Sequence, residues 1–172
     1  IAGRGLCDYP AVSILVNEGP ARIKEIIAEG MQFDMQNGSL ALGLEGGHHH
    51  HRILHAGGDA TGRMVTSFMI EKVKKDPYIE IFENYSIIGL LTEDNHCYGV
   101  RGWNEKSHTE ELFLATNTFL TMGGTSALYK RTTNPQTTIG DGLALAYNAG
   151  CEICDMEFIQ FHPSAIYTKG EE

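Results

Sequence analysis

The sequence is short of the features that mark membrane-spanning, nucleic-acid-binding and disulfide-rich proteins. No apolar run approaches the roughly 20 residues that span a bilayer, and the 13 Lys and Arg residues against 22 Asp and Glu leave a net charge of −9. An acidic chain is repelled by phosphate backbones and anionic lipids, so we expect neither nucleic acid nor membrane as a partner. The four cysteines are irregularly spaced, which argues against a disulfide framework and favours a reducing compartment.

One cysteine pair has the spacing of a redox or zinc motif. Cys151 and Cys154 form C-x-x-C, but no second C-x-x-C accompanies them. The residues between and after them indicate a strand, so a structural role is the favoured interpretation.

What the sequence does have is glycine, with 20 of 172 residues, and an ordinary hydrophobic content of 42%. This composition predicts one globular domain with many tight turns or close backbone contacts. The chain begins on IAGRGLCD and stops at YTKGEE, with neither a start methionine nor a terminal helix to close a core. We therefore expect a piece of a larger protein.

The first helical region is predicted in two pieces. Asp8 can cap a helix that carries Pro10 in its first turn, and Gly19-Pro20 is expected to break or kink that helix. A second helix follows, because apolar residues recur at helical spacing up to Gly30. They are Ile23, Ile26, Ile27 and Met31.

Two more helices are predicted further along, after a glycine- and histidine-rich region, residues 32–58, that reads mainly as loop with short strands. Thr61 to Lys75 carries an apolar stripe and is stopped by Asp76-Pro77. The segment IGDGLALAYNAG begins a helix at a glycine and ends it at Gly150.

Strand signals fill the rest of the chain, and three consecutive ones joined by short turns predict an antiparallel meander. The predicted strands are Ile79–Phe82, Ser86–Thr92, Cys97–Trp103, Glu111–Ala115, Thr118–Met122 and Cys151–Phe158. Helices that alternate with strands indicate the α/β class, with a mainly parallel sheet and a small antiparallel one.

Three segments suit ligand binding, although each has a plainer explanation. In LTMGGTS, Gly123 and Gly124 follow a buried strand and let backbone approach a ligand, or they form an ordinary strand-to-turn pair. Asp141, between two glycines at a helix start, can accept hydrogen bonds from a flat ligand or can cap the helix. His162 is presented from extended chain by Pro163, but a lone histidine is commonly a satisfied surface or core group.

The stretch LEGGHHHHRILHAGGDATG holds five of the eight histidines. His48 and His50, or His49 and His51, share a face only in a strand. Such a pair could serve a zinc site, yet no third ligand is evident. A purification tag is disfavoured, because the run is internal and continues into a strand-turn-helix pattern.

Four segments in this order resemble one family: EGGHHHHRILHAGGDATG, the pair Gly123-Gly124, TTNPQTTIGDG and MEFIQFHPSAIY. They resemble the L-aspartate oxidases, flavoproteins related to the succinate dehydrogenase and fumarate reductase flavoprotein subunits. The similarity runs from GLCD near the start to FHPSAIY. It implies part of a three-layer FAD/NAD(P)-binding domain, with a parallel sheet, helices and a small antiparallel meander.

The resemblance also implies the reaction. Family members use FAD to oxidise L-aspartate to iminoaspartate, with hydride transfer to the flavin and reoxidation by oxygen or fumarate. This is the first step toward quinolinate in NAD (pyridine nucleotide) biosynthesis. A cytoplasmic location and quinolinate synthase as a partner are expected on the same ground.

Residue roles follow only where motifs match. Glu45 matches a glutamate that orients aspartate. The resemblance implies that it acts through the substrate's ammonium group, with which a carboxylate would pair while repelling succinate. His162 matches a histidine that hydrogen-bonds a substrate carboxylate. Asp141 matches a flavin-contacting aspartate, and Gly123 and Gly124 match a pair near the cofactor.

The chain also departs from the family pattern. The family often has Ser and Arg where His49 and His51 stand, which speaks against a role for all four histidines, and Met122 replaces a usual threonine. The strand–GxGxxG–helix segment is missing, as are a capping domain with its arginine base and a C-terminal helical domain. Residues 1–172 are thus expected to be a partial FAD-binding domain that alone neither holds FAD tightly nor turns over aspartate.

Two alternatives stay open. Within the family, the chain could belong to a succinate dehydrogenase or fumarate reductase flavoprotein subunit. From another class, it could be a non-catalytic histidine-rich metal-binding module, which would leave the GDG and FHP segments unexplained.

Overall fold

The computed structural model describes residues 3, 5–46 and 48–161, and the chain divides into two compact units, Ile1–Ile81 and Phe82–Glu172. The first unit contains two helices and four very short strands, and the second contains three longer strands, a short 3₁₀ turn and one helix. In chain order they are α1 (Tyr9–Ala28), β1 (Met35–Gln36), β2 (Ser39–Leu40), β3 (Leu42–Gly43), β4 (Ile53–Leu54), α2 (Thr61–Lys75), β5 (Tyr85–Glu93), β6 (His96–Asn104), β7 (Thr109–Leu114), the 3₁₀ turn (Ser126–Leu128) and α3 (Asp141–Asn148).

Helix α1 is continuous from Tyr9 to Ala28, so the predicted break at Gly19-Pro20 and the separate second helix are wrong. Asp8 caps it as predicted, with a side-chain oxygen that accepts from the Ala11 N–H at 2.9 Å. Pro20 lies inside the helix and lacks one N–H, but the apolar residues that follow it pack on the core of the unit. This packing supports the second half of α1 as helix despite the missing hydrogen bond.

The core of the first unit is small and lies where the two helices meet the segments on either side of the short strands. Met31, Phe33 and Ala56 are buried. The partly buried side chains packed against them come from α1, β4 and α2, and they are Ile23, Ile26, Ile27, Leu54, Val65 and Phe68. Helix α2 has the bounds that the sequence predicts, because its apolar stripe faces this core.

The four short strands form two antiparallel pairs. In the first pair Met35 lies opposite Leu40, and in the second Leu42 lies opposite Leu54. Most of residues 32–58 is loop with short strands, as predicted.

The second unit contains the predicted meander. Strands β5, β6 and β7 pair antiparallel in that order, with register shifts between Ile87 and Gly89 and between Leu91 and Thr92. Gly102 on the central strand is buried, and a Cβ there would lie 2.9 Å from the Phe113 ring and 3.2 Å from the Tyr85 ring. The absence of a side chain at Gly102 thus lets two aromatic rings pack across β6.

Helix α3 is confirmed, with Gly140 at its start and Gly150 beyond its end, both at positive φ. Three predicted strands are wrong: residues 79–82, 118–122 and 151–158 form no strand. All strand pairs in the described part of the chain are antiparallel. The α/β class and the meander are confirmed, while the predicted parallel strands have no paired neighbour here, and an extended segment becomes a strand only by pairing.

No helix within residues 3, 5–46 and 48–161 is long and apolar enough to cross a membrane.

Candidate active site

Glu45 lies on the loop that joins β3 to β4. The loop closes through the Arg52 N–H, which donates to the Gly43 carbonyl at 3.1 Å, and the His48 N–H, which donates to the Glu45 carbonyl at 3.1 Å. His51 approaches the Leu42 carbonyl with Nδ1 at 3.0 Å. These contacts fix the loop backbone, while the Glu45 side chain stays 56% exposed and free to meet a ligand.

His55, directly after β4, is the side chain beside Glu45. Its Nε2 lies 3.4 Å from Glu45 Oε1. The imidazole occupies the space over Gly43, where a Cβ would lie 2.4 Å from Nε2. Strand pairing thus brings together a carboxylate and an imidazole that are ten positions apart.

Asp34 joins this region to the loop before α2. Its two carboxylate oxygens accept from the Gly57 and Gly58 N–H groups, each at 2.9 Å. The hydrogen bond from Gly58 and then that from Gly57 lower the pKa of Asp34 below its ordinary value of 3.8. Both glycines have positive φ, so the turn that presents their N–H groups is one that side chains rarely tolerate.

The three segments line an open cavity of about 370 Å³. Its walls are formed by Asp34, Ala41, Leu42, Gly43, His55, Gly58 and Asp59. Glu45 contacts the His55 side of this wall. A cavity with an imidazole and several carboxylates can bind a small cationic group.

In the second unit, Gly123 and Gly124 are exposed and lie near the start of α3. Thr138 connects the two segments, because Ala127 N–H donates to its carbonyl at 3.0 Å and Ser126 Oγ donates to its hydroxyl at 3.3 Å. A Cβ at Gly123 would lie 3.1 Å from the Thr138 methyl, whereas the space at Gly124 is open. The backbone at Gly124 can therefore be approached closely by a ligand.

Asp141 is the first residue of α3 and is half-buried. Its Oδ1 accepts from the Gly142 N–H at 3.1 Å, which orients the carboxylate and leaves Oδ2 for a ligand. Gly142 is buried against Met122, whose Cβ would be 3.0 Å from an added Cβ. Met122, which stands where the family usually has threonine, therefore packs under the start of α3.

The structure brings Asp141, Gly123 and Gly124 together within the second unit and places Glu45 in the first. His162 lies outside the described residues. His48–His51 are exposed and form no strand, so the condition under which alternate histidines would share a face is not met. Among the residues that the structure describes, no group of three or more His, Cys, Asp or Glu side chains could hold a metal ion, and Cys151 and Cys154 are exposed thiols outside any strand.

Asp34 and His55 were not predicted from the sequence. The Gly57-Gly58 pair is the sequence signal that points toward Asp34, since two glycines before a helix often offer N–H groups to an anion. No local pattern marks His55, which directly follows β4, the strand that pairs with β3.

An α/β chain with a meander, an open glycine pair and an aspartate at a helix start belongs to the cofactor-binding class of domains. The family described as "FAD binding domain" matches residues 1–172, so the chain belongs to that family.

Several curated relatives carry one name. The chain is 42% identical over 175 residues to "L-aspartate oxidase, chloroplastic" of Arabidopsis thaliana, which covers 99% of this chain and 27% of that protein. It is 42% identical to L-aspartate oxidase of Streptomyces coelicolor, and the match covers 97% of this chain and 30% of that protein. It is 37% identical to L-aspartate oxidase of Bacillus subtilis, and the match covers 98% of this chain and 32% of that protein. The chain thus spans about a third of the length of these relatives or less.

Solved structures are similar to the chain as well. The Escherichia coli quinol fumarate reductase FrdA E245Q structure gives a TM-score of 0.85 at 25% identity, over 94% of this chain and 28% of that one. The Mycobacterium smegmatis Sdh1 complex with UQ1 gives a TM-score of 0.75 at 32% identity, over 86% of this chain and 26% of that one. Both likenesses agree with the α/β fold class.

The residues present fit FAD. Open backbone at Gly124 suits the close approach of a flat ring, and the oriented carboxylate of Asp141 suits its N–H or O–H groups.

Proposed function

We propose that this chain forms part of an FAD-dependent L-aspartate oxidase. The observation that carries the proposal is the likeness of nearly the whole chain to proteins named L-aspartate oxidase from plants and bacteria, at 37–42% identity. The exposed Glu45 carboxylate supports it, because an anionic side chain beside a cavity favours a substrate with an amine.

In this proposal Glu45 binds the ammonium group of L-aspartate and orients the α-carbon. Asp141, Gly123 and Gly124 hold the cofactor, and His162 binds a substrate carboxylate. When bound, FAD supplies the oxidising power, as acceptor of the hydride that leaves the substrate; oxygen or fumarate then takes the electrons. The chain's own task is to position the substrate and to favour dicarboxylates that carry the amine.

The remainder of the site would come from outside these 172 residues. The chain spans 27–32% of the three relatives described above, so we assign it as a partial FAD-binding domain. A pyrophosphate-binding GxGxxG segment, a capping domain and a helical domain would complete it. A role in NAD biosynthesis, a functional link to quinolinate synthase and a cytoplasmic location belong to the same proposal, although the plant relatives are named chloroplastic.

The test is a substrate panel on the complete FAD-loaded protein. L-aspartate should be oxidised, with hydrogen peroxide formed in air, and succinate should bind without being oxidised. Replacement Glu45→Gln should lower kcat/KM for L-aspartate by about 10- to 100-fold, the loss of one charge-assisted contact, and should leave succinate binding intact. Glu93→Gln, at the exposed end of β5, is the matched control and should change neither value.

The competing function is that of a succinate dehydrogenase or fumarate reductase subunit, favoured by the structural likeness to FrdA and Sdh1. Under that function the protein would oxidise succinate or reduce fumarate and would ignore L-aspartate. That result would overturn the proposal.

A further inference from the structure

We infer that His55 is a positioning residue that orients the Glu45 carboxylate and so contributes to the preference for an amino dicarboxylate. The inference rests on the proposed function, in which Glu45 receives the substrate ammonium group. Nothing in the sequence pattern singles His55 out, and the contact between the two side chains carries the assignment.

The backbone of His55 is fixed on both sides. Its carbonyl accepts from the Asp34 N–H at 2.8 Å. The next residue, Ala56, is buried, and its N–H donates to Thr61 Oγ1 at 3.1 Å. A side chain that starts from a backbone held this firmly can direct a neighbour, because its own Cα does not drift.

The direction of the imidazole is set by Gly43. A Cβ at this position would lie 2.4 Å from His55 Nε2, so the ring occupies the space that a larger residue would fill. From there Nε2 lies 3.4 Å from Glu45 Oε1. This is slightly longer than a usual N–H···O bond, and a small rotation of the exposed Glu45 side chain brings the pair within range.

Asp34 is the other carboxylate that interacts with His55, and its two oxygens accept from the Gly57 and Gly58 N–H groups. Among the described residues, Glu45 is the carboxylate within ion-pair distance of the imidazole. Where Nε2–H donates to one oxygen of Glu45, the other oxygen is left to accept from an ammonium group.

A carboxylate that is already held loses less side-chain freedom when it binds its ligand. The benefit applies only to ligands that use Glu45. His55 should therefore strengthen the binding of L-aspartate and leave the binding of succinate, which has no ammonium group, unaffected. A residue needed only for folding would affect both ligands alike.

The experiment measures kcat/KM for L-aspartate and the dissociation constant of succinate, from the flavin spectrum, in the complete FAD-loaded protein. His55→Leu should lower kcat/KM for L-aspartate about fivefold, the effect of a half-exposed contact, with succinate affinity unchanged. His55→Gln, which keeps a side-chain donor, should recover part of the loss. His96→Leu, an exposed histidine at the start of β6, is the control and should match the wild type.

Two further variants separate this role from a general defect. Gly43→Ala pushes on the imidazole without removing it and should reproduce the selective loss for L-aspartate. In a Glu45→Gln background, His55→Leu should add little, because both changes remove the same interaction.

The outcomes are distinguishable. If the wild type oxidises L-aspartate but His55→Leu weakens L-aspartate and succinate in parallel, or adds its full effect to Glu45→Gln, the inference is overturned and the proposed function stands. If the wild type does not act on L-aspartate, the proposed function fails and the inference fails with it.

Discussion

The meander and the loop region of residues 32–58 are both extended and both contain glycine, yet their backbones are held in different ways. Strands β5 and β6 have nine residues each and satisfy their N–H and C=O groups against one another. The loop region has four strands of two residues, and side chains such as Asp34 hold its backbone and the neighbouring turn. A β-ladder leaves few of its paired backbone N–H and C=O groups for a ligand. A loop whose backbone is held by side chains keeps more of these groups available.

The glycines of the two regions differ accordingly. In the meander, Gly99 and Gly102 are buried, and an added Cβ would strike neighbouring strands. In the loop region an added Cβ at Gly46 or Gly58 would have nothing within 4 Å, although Gly43 lies under the His55 ring. Glycine in the first region permits close packing between strands, and at Gly46 and Gly58 it permits turns beside open space.

The largest expected effect is a loss of stability when the close packing of the meander is disturbed. In Gly99→Ala, the new Cβ would lie 1.9 Å from the Phe113 carbonyl oxygen at a φ of +143°, so β7 must move and its hydrogen bonds to β6 weaken. We expect a loss of about 3 kcal/mol in the free energy of unfolding, measured by thermal and denaturant unfolding of the complete protein.

Its control is Gly62→Ala in α2, which has open space and helical backbone. This change should be neutral or stabilise by about 0.5 kcal/mol. Equal melting temperatures for Gly99→Ala and Gly62→Ala would show that the meander does not depend on close packing at its central strand.

A smaller effect should follow in the loop region from Asp34→Asn. An amide offers one oxygen to the two N–H groups that the carboxylate oxygens now accept from, so the melting temperature should fall. Because the folded-state pKa of Asp34 is lowered, its contribution to stability is full above the ordinary pKa of 3.8 and is lost as the pH falls from there through the folded-state value.

The difference in melting temperature between Asp34→Asn and the wild type should therefore disappear in acid. Asp59→Asn, an exposed change in the same loop, is the control and should leave the melting temperature at neutral pH unchanged. A gap that stays constant from neutral pH to well below 3.8 would show that the carboxylate charge is not what holds the two glycine N–H groups.

The smallest effect is expected at Tyr85→Phe in the meander. The Tyr85 hydroxyl donates to Glu111 at 2.9 Å and accepts from Asn104 at 2.9 Å, while Asn104 also donates directly to Glu111 at 3.1 Å. Since the Asn104–Glu111 contact survives, the melting temperature should fall only slightly. Partial burial and then the hydrogen bond to Glu111 raise the pKa of Tyr85 above 10.0.

A raised pKa means that the hydroxyl stabilises the fold fully below pH 10.0 and less as the pH rises through the folded-state value. The stability of the wild type should therefore fall relative to that of Tyr85→Phe as the pH rises into alkali. Melting temperatures and tyrosinate absorbance measure this change. A stability advantage of the wild type that grows in alkali would contradict the assigned sign. Tyr98→Phe, a half-exposed tyrosine on β6, provides the control.

Helix α2, helix α3 and the meander could be predicted because each is specified by a local pattern. The apolar stripe of α2, the glycines that flank α3 and the short turns of the meander are each signals within a few residues of one another. The interruption at Pro20 was wrong because the cost of one missing hydrogen bond is local, while the packing of Ile23 and Ile26 on the core is not. The strands expected at 118–122 and 151–158 were wrong because pairing depends on a neighbour that no local pattern reveals.

The candidate site divides in the same way. Motif order pointed to Glu45, Asp141 and the glycine pair, and the sequence alone determined the family, since residue types at fixed spacing carry that information. Tertiary structure alone decided that Asp34 holds glycines 23 and 24 residues away and that His55 faces Glu45 over Gly43. Such contacts exist only after strand pairing has closed the intervening loops, because chain connectivity does not fix distances between residues far apart in sequence.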